Sequence, residues 1–305
     1  MKPPSEQRVL VVGAGGLGCP ASLALGQGGV GGVTLVDGDR VELTNLHRQL
    51  WHREEDLGAL KAESAGRKLA MAFPGLALKT LGIRVDVSNV DALFRAHDWV
   101  VDGTDSARSK FLLSDAAVRT GIPLVFGGVL RWSGQAMFIS RAGPCLRCLY
   151  DDGSLEEGPS CASVGVLGSM AGMVGGLQVL LGKKGLAGGA GSLGQGTLVR
   201  VDGLNLQTRH STVERNPECP VCAWPAPSLT ADITAELCPM TYVRTKLKLD
   251  ALKAGQVLEV VLRGEEPLRN VPRSAREEGH QVLSVDPGPN GSWRVCIRKQ
   301  QSKET

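Results

Sequence analysis

The sequence lacks a charge bias: 34 lysines and arginines stand against 31 aspartates and glutamates, a formal net charge of +3. A balance this close gives no field for wholesale attraction to a polyanion, so no nucleic-acid partner is expected. It also lacks a signal-peptide core. The apolar part of the opening MKPPSEQRVLVV is short and leads into a glycine loop instead of a cleavage site, which points to a cytoplasmic protein. One stretch lacks charge altogether. Residues 161–182 (CASVGVLGSMAGMVGGLQVLLG) are long enough to cross a bilayer, but six of them are glycine. A glycine-rich loop followed by a buried helix is the preferred reading, with Lys183 and Lys184 capping that helix's C-terminus and no membrane association.

What is present is the alternation of a wound α/β protein. A chain of 305 residues has room for one sizeable domain and a smaller one. In the first half, β-branched runs at 8–12, 33–37, 98–102, 123–126 and 134–140 read as strands. Helical patterns at 19–27, 61–72, 106–119 and 170–181 lie among them, predicting a doubly wound, Rossmann-like, mostly parallel sheet. The glycine-rich segment 182–196 reads as a mobile loop and the proline-bearing 223–230 as a linker, which divides the chain into domains at 1–225 and 226–305. Beyond the linker, helices at 239–252 and near 274–278 and strands at 256–264, QVLSV and WRVCIRK predict a small two-layer α/β domain ordered strand, helix, strand, helix, strand, strand.

The chemistry begins at GAGGLG (Gly13, Gly15, Gly16, Gly18), between the first strand and the first helix. Glycines there let phosphates approach the backbone, and the helix N-terminus offers free amides. Asp37, at the end of the second strand, sits where a dinucleotide enzyme keeps its ribose acid, so a nicotinamide oxidoreductase is a rival reading. The loop VDGDRVELTNLHRQ moves the balance toward ATP. It adds Asp39, Asn45, Arg48 and Gln49, and Lys61 follows; an arginine fork and a lysine suit a triphosphate. In DGTDS, Asp105 offers a carboxylate for the Mg2+ that accompanies ATP.

Four of the eight cysteines form two CxxC pairs, Cys145 with Cys148 and Cys219 with Cys222, the donor complement of a closed structural zinc site; a redox pair or a disulfide is the alternative. Cys161 stands apart at the start of the uncharged stretch. Cys238 precedes Pro239 at a helix start, where a thiol is drawn toward thiolate. Cys19 and Cys296 read as packing residues.

Over residues 8–224 these motifs, with DLGALKAE around Lys61, resemble the ThiF/MoeB/HesA family, relatives of the ubiquitin-activating enzymes. The resemblance implies attack by the C-terminal glycine carboxylate of a ubiquitin-like sulfur carrier, with a Gly-Gly tail, on the α-phosphate of ATP. It assigns Asp37 and Asp39 to the ribose and metal environment, Asn45, Arg48 and Lys61 to the phosphates with Gln49 beside them, and Asp105 to Mg2+. It favours Zn2+ on the four paired cysteines and makes Cys161 a candidate for covalent chemistry with the carrier. Two departures are visible: only seven residues precede Arg8, too few for the arm that carries the family's trans arginine, and Ser106 and Lys110 stand where the family has asparagine and arginine. Residues 229–299 resemble the TusA/SirA/YeeD persulfide carriers, in CP before a helix, KAGQVLEV and EEGHQV, with Thr241 in place of a frequent second proline. Together the resemblances imply an adenylyltransferase whose product is sulfurated to a thiocarboxylate, with Arg48, Lys61, Asp105, Cys161 and Cys238 as its catalytic residues. A cysteine desulfurase type of sulfur donor and a homodimer are the implied partners. A catalytically weakened persulfide-relay scaffold is the alternative.

Overall fold

The computed structural model describes residues 2–141, 143–150, 165–187, 196–223, 227–236, 240–287 and 292–300. The chain divides into two compact units, Met1–Ala223 and Trp224–Thr305.

In the first unit, β1 (Arg8–Val12), β2 (Gly32–Val36), β3 (Ala77–Leu81), β4 (Trp99–Asp102), β5 (Leu124–Leu130), β6 (Ser133–Ile139), β7 (Thr197–Asp202) and β8 (Gln207–Thr212) form one sheet. Its order is β3-β2-β1-β4-β5-β6-β7-β8. The first five strands are parallel and the last three antiparallel. Val9–Val12 and Val33–Val36 are buried throughout, as strands covered on both faces must be. The order turns back between β1 and β4, and in such sheets a ligand crevice opens where the strand order reverses. The expected doubly wound sheet is therefore found, with α1 (Gly18–Gln27), α2 (Lys61–Ala72), α3 (Val90–Arg95), α4 (Ala107–Thr120), α5 (Leu146–Leu149) and α6 (Gly168–Ala187) as its helices.

Helix α6 corrects two expectations. It runs on to Ala187, so residues 182–187 are helical where a loop was predicted, and residues 188–195 lie outside the described set. Glycine composition suggested a loop, but here glycine serves close packing: a methyl on Gly175 would sit 2.7 Å from the Pro20 ring, and one on Gly182 would enter the Trp99 ring. Lys183 does not cap its own helix. Its Nζ donates to the Gly28 carbonyl at 2.8 Å, at the C-terminus of α1. No described helix is long and apolar enough to cross a membrane.

In the second unit, β9 (Leu229–Asp232), α7 (Met240–Asp250), β10 (Val257–Arg263), α8 (Glu265–Glu277), β11 (Gln281–Pro287) and β12 (Ser292–Arg298) follow the predicted order. The sheet order is β11-β12-β10-β9, with β9 parallel to β10 and the other pairs antiparallel. Leu249, Leu258, Val260, Leu262, Val271, Ala275, Val295 and Ile297 fill the core between the helices and the sheet. Helix α8 starts at Glu265, nine residues before the predicted Ser274. Pro267 lies in its first turn and Pro272 inside it, and both share the buried face with Val271 and Ala275. Strand β9 takes the last two residues of the predicted linker, and Ser228 N–H already donates to the Val257 carbonyl at 2.7 Å.

Candidate functional site

The loop after β1 is pressed against the loop after β4. Gly13 has φ +97°, and a methyl there would meet the Gly103 carbonyl oxygen at 2.5 Å, so only glycine lets the two backbones touch. Gly103 N–H donates to the Val12 carbonyl at 2.7 Å, which carries Asp105 to the crevice. Asp37 shapes the loop from the other side. Its Oδ2 accepts from Ala14 N–H and its Oδ1 from Asp39 N–H, each at 2.8 Å. Burial pushes the Asp37 carboxyl up, and the two amides work against that rise. Among the described residues, no hydrogen bond uses the N–H of Gly15, Gly16 or Leu17. Three adjacent free amides at a helix N-terminus are an anion site.

Cations and amides surround that loop. Lys61 opens α2 with a side chain only 10% exposed, and its Nζ lies 3.4 Å from Asp39 Oδ2. Asp39 is 52% exposed and also pairs with Arg84 at 3.0 Å. Arg48 ends the 3-10 turn Leu43–Arg48; its Nη2 donates to Asn45 Oδ1 at 2.6 Å, and a methyl on Gly16 would lie 3.3 Å from its carbonyl oxygen. Gln49 is buried, its Nε2 3.4 Å from where a Gly15 methyl would be, and its Oε1 has no partner. Asp105 is exposed. The structure thus gathers Gly13, Gly15, Gly16, Gly18, Asp37, Asp39, Asn45, Arg48, Gln49 and Lys61 around one loop, with Asp105 two residues from the Gly103 contact. Cys161 and Cys238 lie outside the described residues.

Sequence reasoning missed the support beneath the site. Lys110 Nζ donates to Asp102 Oδ2 at 3.0 Å, to the Thr104 carbonyl at 2.7 Å and to the Gly127 carbonyl at 2.6 Å, and it lies 5.3 Å from the Phe126 ring centre. All three N–H groups are used inside the fold, so the residue that replaces the family's arginine holds the β4 loop together. Asp102 is fully buried. Lys110→Met is therefore expected to lower the stability of the first unit by about 3 kcal/mol in urea unfolding, because it strands a buried carboxylate. Adding Asp102→Asn is expected to recover part of that loss. Gln178 of α6 was also unforeseen; its Nε2 donates to the Asp102 and Val125 carbonyls at 2.8 and 3.0 Å. Polar residues of this kind carry no signal in the sequence, since their partners lie far along the chain.

The two CxxC pairs meet. The sulfurs of Cys145, Cys148, Cys219 and Cys222 all lie within 4.8 Å of one another, with 3.6 Å between Cys145 and Cys219 and 3.2 Å between Cys148 and Cys222. Zn–S bonds of about 2.3 Å in a tetrahedron set neighbouring sulfurs about 3.8 Å apart, so the cluster fits zinc. All four thiols are free. Burial pushes the Cys148 thiol up, while hydrogen bonds from Cys145 and Cys148 draw Cys222 down. Such a cluster ionises fully only around a cation. The first pair is held by Leu146 N–H on Ser114 Oγ at 3.0 Å and by Arg147 on Asp115 at 2.8 Å; Arg215 anchors the second by donating to the Arg141 and Gly143 carbonyls at 2.6 and 2.8 Å. Cys19 is buried as expected, and burial pushes its thiol up to about 12.

Residues 2–221 match the ThiF family. The chain belongs to the ThiF family. Residues 229–299 match the sulfurtransferase TusA family. Over 219 residues the chain is 41% identical to the SAMP-activating enzyme E1 of Haloferax volcanii, a match covering 71% of this chain and 80% of that one. It is 40% identical over 221 residues to the sulfur carrier protein adenylyltransferase of Thermus thermophilus, covering 70% and 81%. With the molybdopterin-synthase adenylyltransferase of Escherichia coli K12 it shares 37% over 222 residues, covering 71% and 87%. Among solved structures it resembles E. coli MccB crystallised with ATP, at a TM-score of 0.59 and 19% identity over 72% of this chain and 67% of that one, a likeness of fold. In this ThiF-family chain the glycine loop, Lys61 and the arginine turn occupy the crevice at the strand reversal.

Proposed function

We propose that the first unit uses ATP to adenylate the C-terminal glycine of a ubiquitin-like sulfur carrier with a Gly-Gly tail, and that the second delivers sulfur through Cys238, so that the carrier ends as a thiocarboxylate. The observation that carries this reading is the set of free amides at Gly15, Gly16 and Leu17 beside Lys61 and Arg48. The carboxylate attacks the α-phosphorus and pyrophosphate leaves. No side-chain nucleophile is needed, since positioning and charge neutralisation by the loop, Arg48 and Lys61 lower the barrier. Asp105 is the residue to hold Mg2+, which neutralises phosphate charge when bound. The outer sulfur of a Cys238 persulfide then attacks the acyl adenylate and AMP leaves, giving an acyl disulfide. A second thiol, for which Cys161 is the candidate, attacks the Cys238 sulfur and breaks the S–S bond, so that the thiocarboxylate leaves and the resulting protein disulfide is reopened by an external thiol reductant. The four clustered cysteines hold zinc as a structural clip. A homodimer, a desulfurase-type sulfur donor and a cytoplasmic setting complete the reading.

ATP–pyrophosphate exchange with a panel of purified Gly-Gly-tailed carriers tests it. Exchange with at least one carrier, abolished by Asp105→Ala, is expected. Exchange with none overturns the reading in favour of a relay partner. Cys238→Ser is expected to leave exchange intact while thiocarboxylate formation, read by mass spectrometry of the carrier, falls about a hundredfold or more. Equal loss of both activities would place Cys238 outside the sulfur step.

A further inference from the structure

One buried histidine beside the glycine loop has no part in the chemistry above. His52 is 5% exposed. Its Nε2 lies 2.8 Å from the Ala14 carbonyl oxygen and its Nδ1 3.0 Å from Ser64 Oγ. A carbonyl only accepts, so Nε2 carries the proton; with the ring neutral, Nδ1 accepts from the Ser64 hydroxyl, whose one proton is also drawn by the buried Asp56 carboxylate. Burial lowers the basicity of the ring, which stays neutral at physiological pH.

Each partner of His52 belongs to the candidate site. Ser64 lies one turn along α2 from Lys61. Ala14 is held at its other end, where its N–H donates to Asp37 Oδ2 at 2.8 Å. Cys19 Sγ, a weak donor, approaches the same Ala14 carbonyl at 3.2 Å. The neighbouring Trp51 fixes the histidine's backbone by donating from Nε1 to the Cys19 carbonyl at 3.0 Å. The Ala14 carbonyl and the Gly15 N–H share one trans peptide plane and point in opposite directions. Drawing the carbonyl toward His52 therefore aims the Gly15 N–H away from it. That plane turns on ψ of Ala14 and φ of Gly15, and glycine resists such a turn less than any other residue would.

We propose that His52 is a positioning residue of the adenylation site: its Nε2–H grips the Ala14 carbonyl and thereby orients the free amides of the glycine loop relative to Lys61. The kinetic consequence rests on the adenylation reading; the structural one does not. His52→Leu removes the donor, and its expected effect is a roughly tenfold rise in KM for ATP with KM for the carrier changed less than twofold. His52→Gln keeps an N–H donor at similar reach and is expected to restore KM for ATP to within about threefold of the parent.

Nitrogen NMR of the full chain labelled at histidine reads the tautomer directly, with Nε2 protonated and Nδ1 bare as the expected state. Hydrogen exchange at the Ala14 amide is expected to quicken about tenfold in His52→Leu and to stay near the parent rate in His52→Gln. An Nδ1–H tautomer, or unchanged Ala14 exchange in His52→Leu, overturns the proposal. A wild-type chain that fails to bind ATP sinks the adenylation reading, and the tautomer and exchange measurements then decide the clamp. If His52→Leu does not fold, His52→Gln and the wild-type tautomer decide it.

Discussion

Replacing Lys61 with alanine is expected to lower carrier-dependent ATP–pyrophosphate exchange about 10²- to 10³-fold while barely changing stability. A pre-organised charge aimed at the reacting phosphates acts where water is thin, and deleting one such group costs on the order of 3 kcal/mol in the transition state. The fold holds the lysine in place for this role, since it opens α2, its backbone N–H donates to the Asp39 carbonyl at 2.9 Å, and its side chain is 10% exposed. Its 3.4 Å ion pair contributes about 1 kcal/mol or less to folding, since water reaches the half-exposed Asp39 partner even though the lysine itself is largely buried. The measurement is therefore a pair, exchange rate and urea midpoint. A loss of activity that merely tracks a loss of stability, or a fall in exchange below about threefold, would return Lys61 to an ordinary structural charge.

Stripping the cysteine cluster of zinc is expected to weaken the first unit rather than its chemistry. The intervening chain from Cys148 to Cys219 is 70 residues long. Closing a loop of that length removes about 4 kcal/mol of unfolded-state entropy, and metal–thiolate bonding adds to it. Cys222→Ser should therefore lower the thermal midpoint by many degrees and reduce bound zinc from about one equivalent to a small fraction, measured by elemental analysis. A chelator should do the same to the parent chain, and adding zinc back should reverse it. If a thiol reductant, not a chelator, lowers the midpoint, the cluster forms disulfides instead and the zinc reading fails.

Much of this was legible along the chain. GAGGLG between a β-branched run and a helix locates the crevice because the glycines and the strand ending are neighbours in sequence. The two CxxC pairs declare four thiolates because cysteine has few other uses at that spacing. Local signals were weaker where glycine and proline served packing. Helix α6 carries Gly175 and Gly182 against Pro20 and Trp99, and α8 buries Pro267 and Pro272, so both elements run longer than punctuation residues suggest.

What the sequence by itself determined is the set of candidate site residues and the strand-helix alternation that carries them, since both depend on residue type and short spacing. The tertiary structure alone decided which buried polar groups support the site. His52 reaches Ala14 across 38 positions, Gln178 reaches Asp102 across 76, and Cys145 meets Cys219 across 74. A side chain's need for a partner is written in its chemistry, but the partner is chosen by whichever donor or acceptor the folded backbone brings within about 3 Å. Lys110 shows the difference most plainly. In the sequence it is a substituted arginine, and in the fold it is a part-buried ammonium whose three protons lock Asp102, Thr104 and Gly127 beneath the glycine loop.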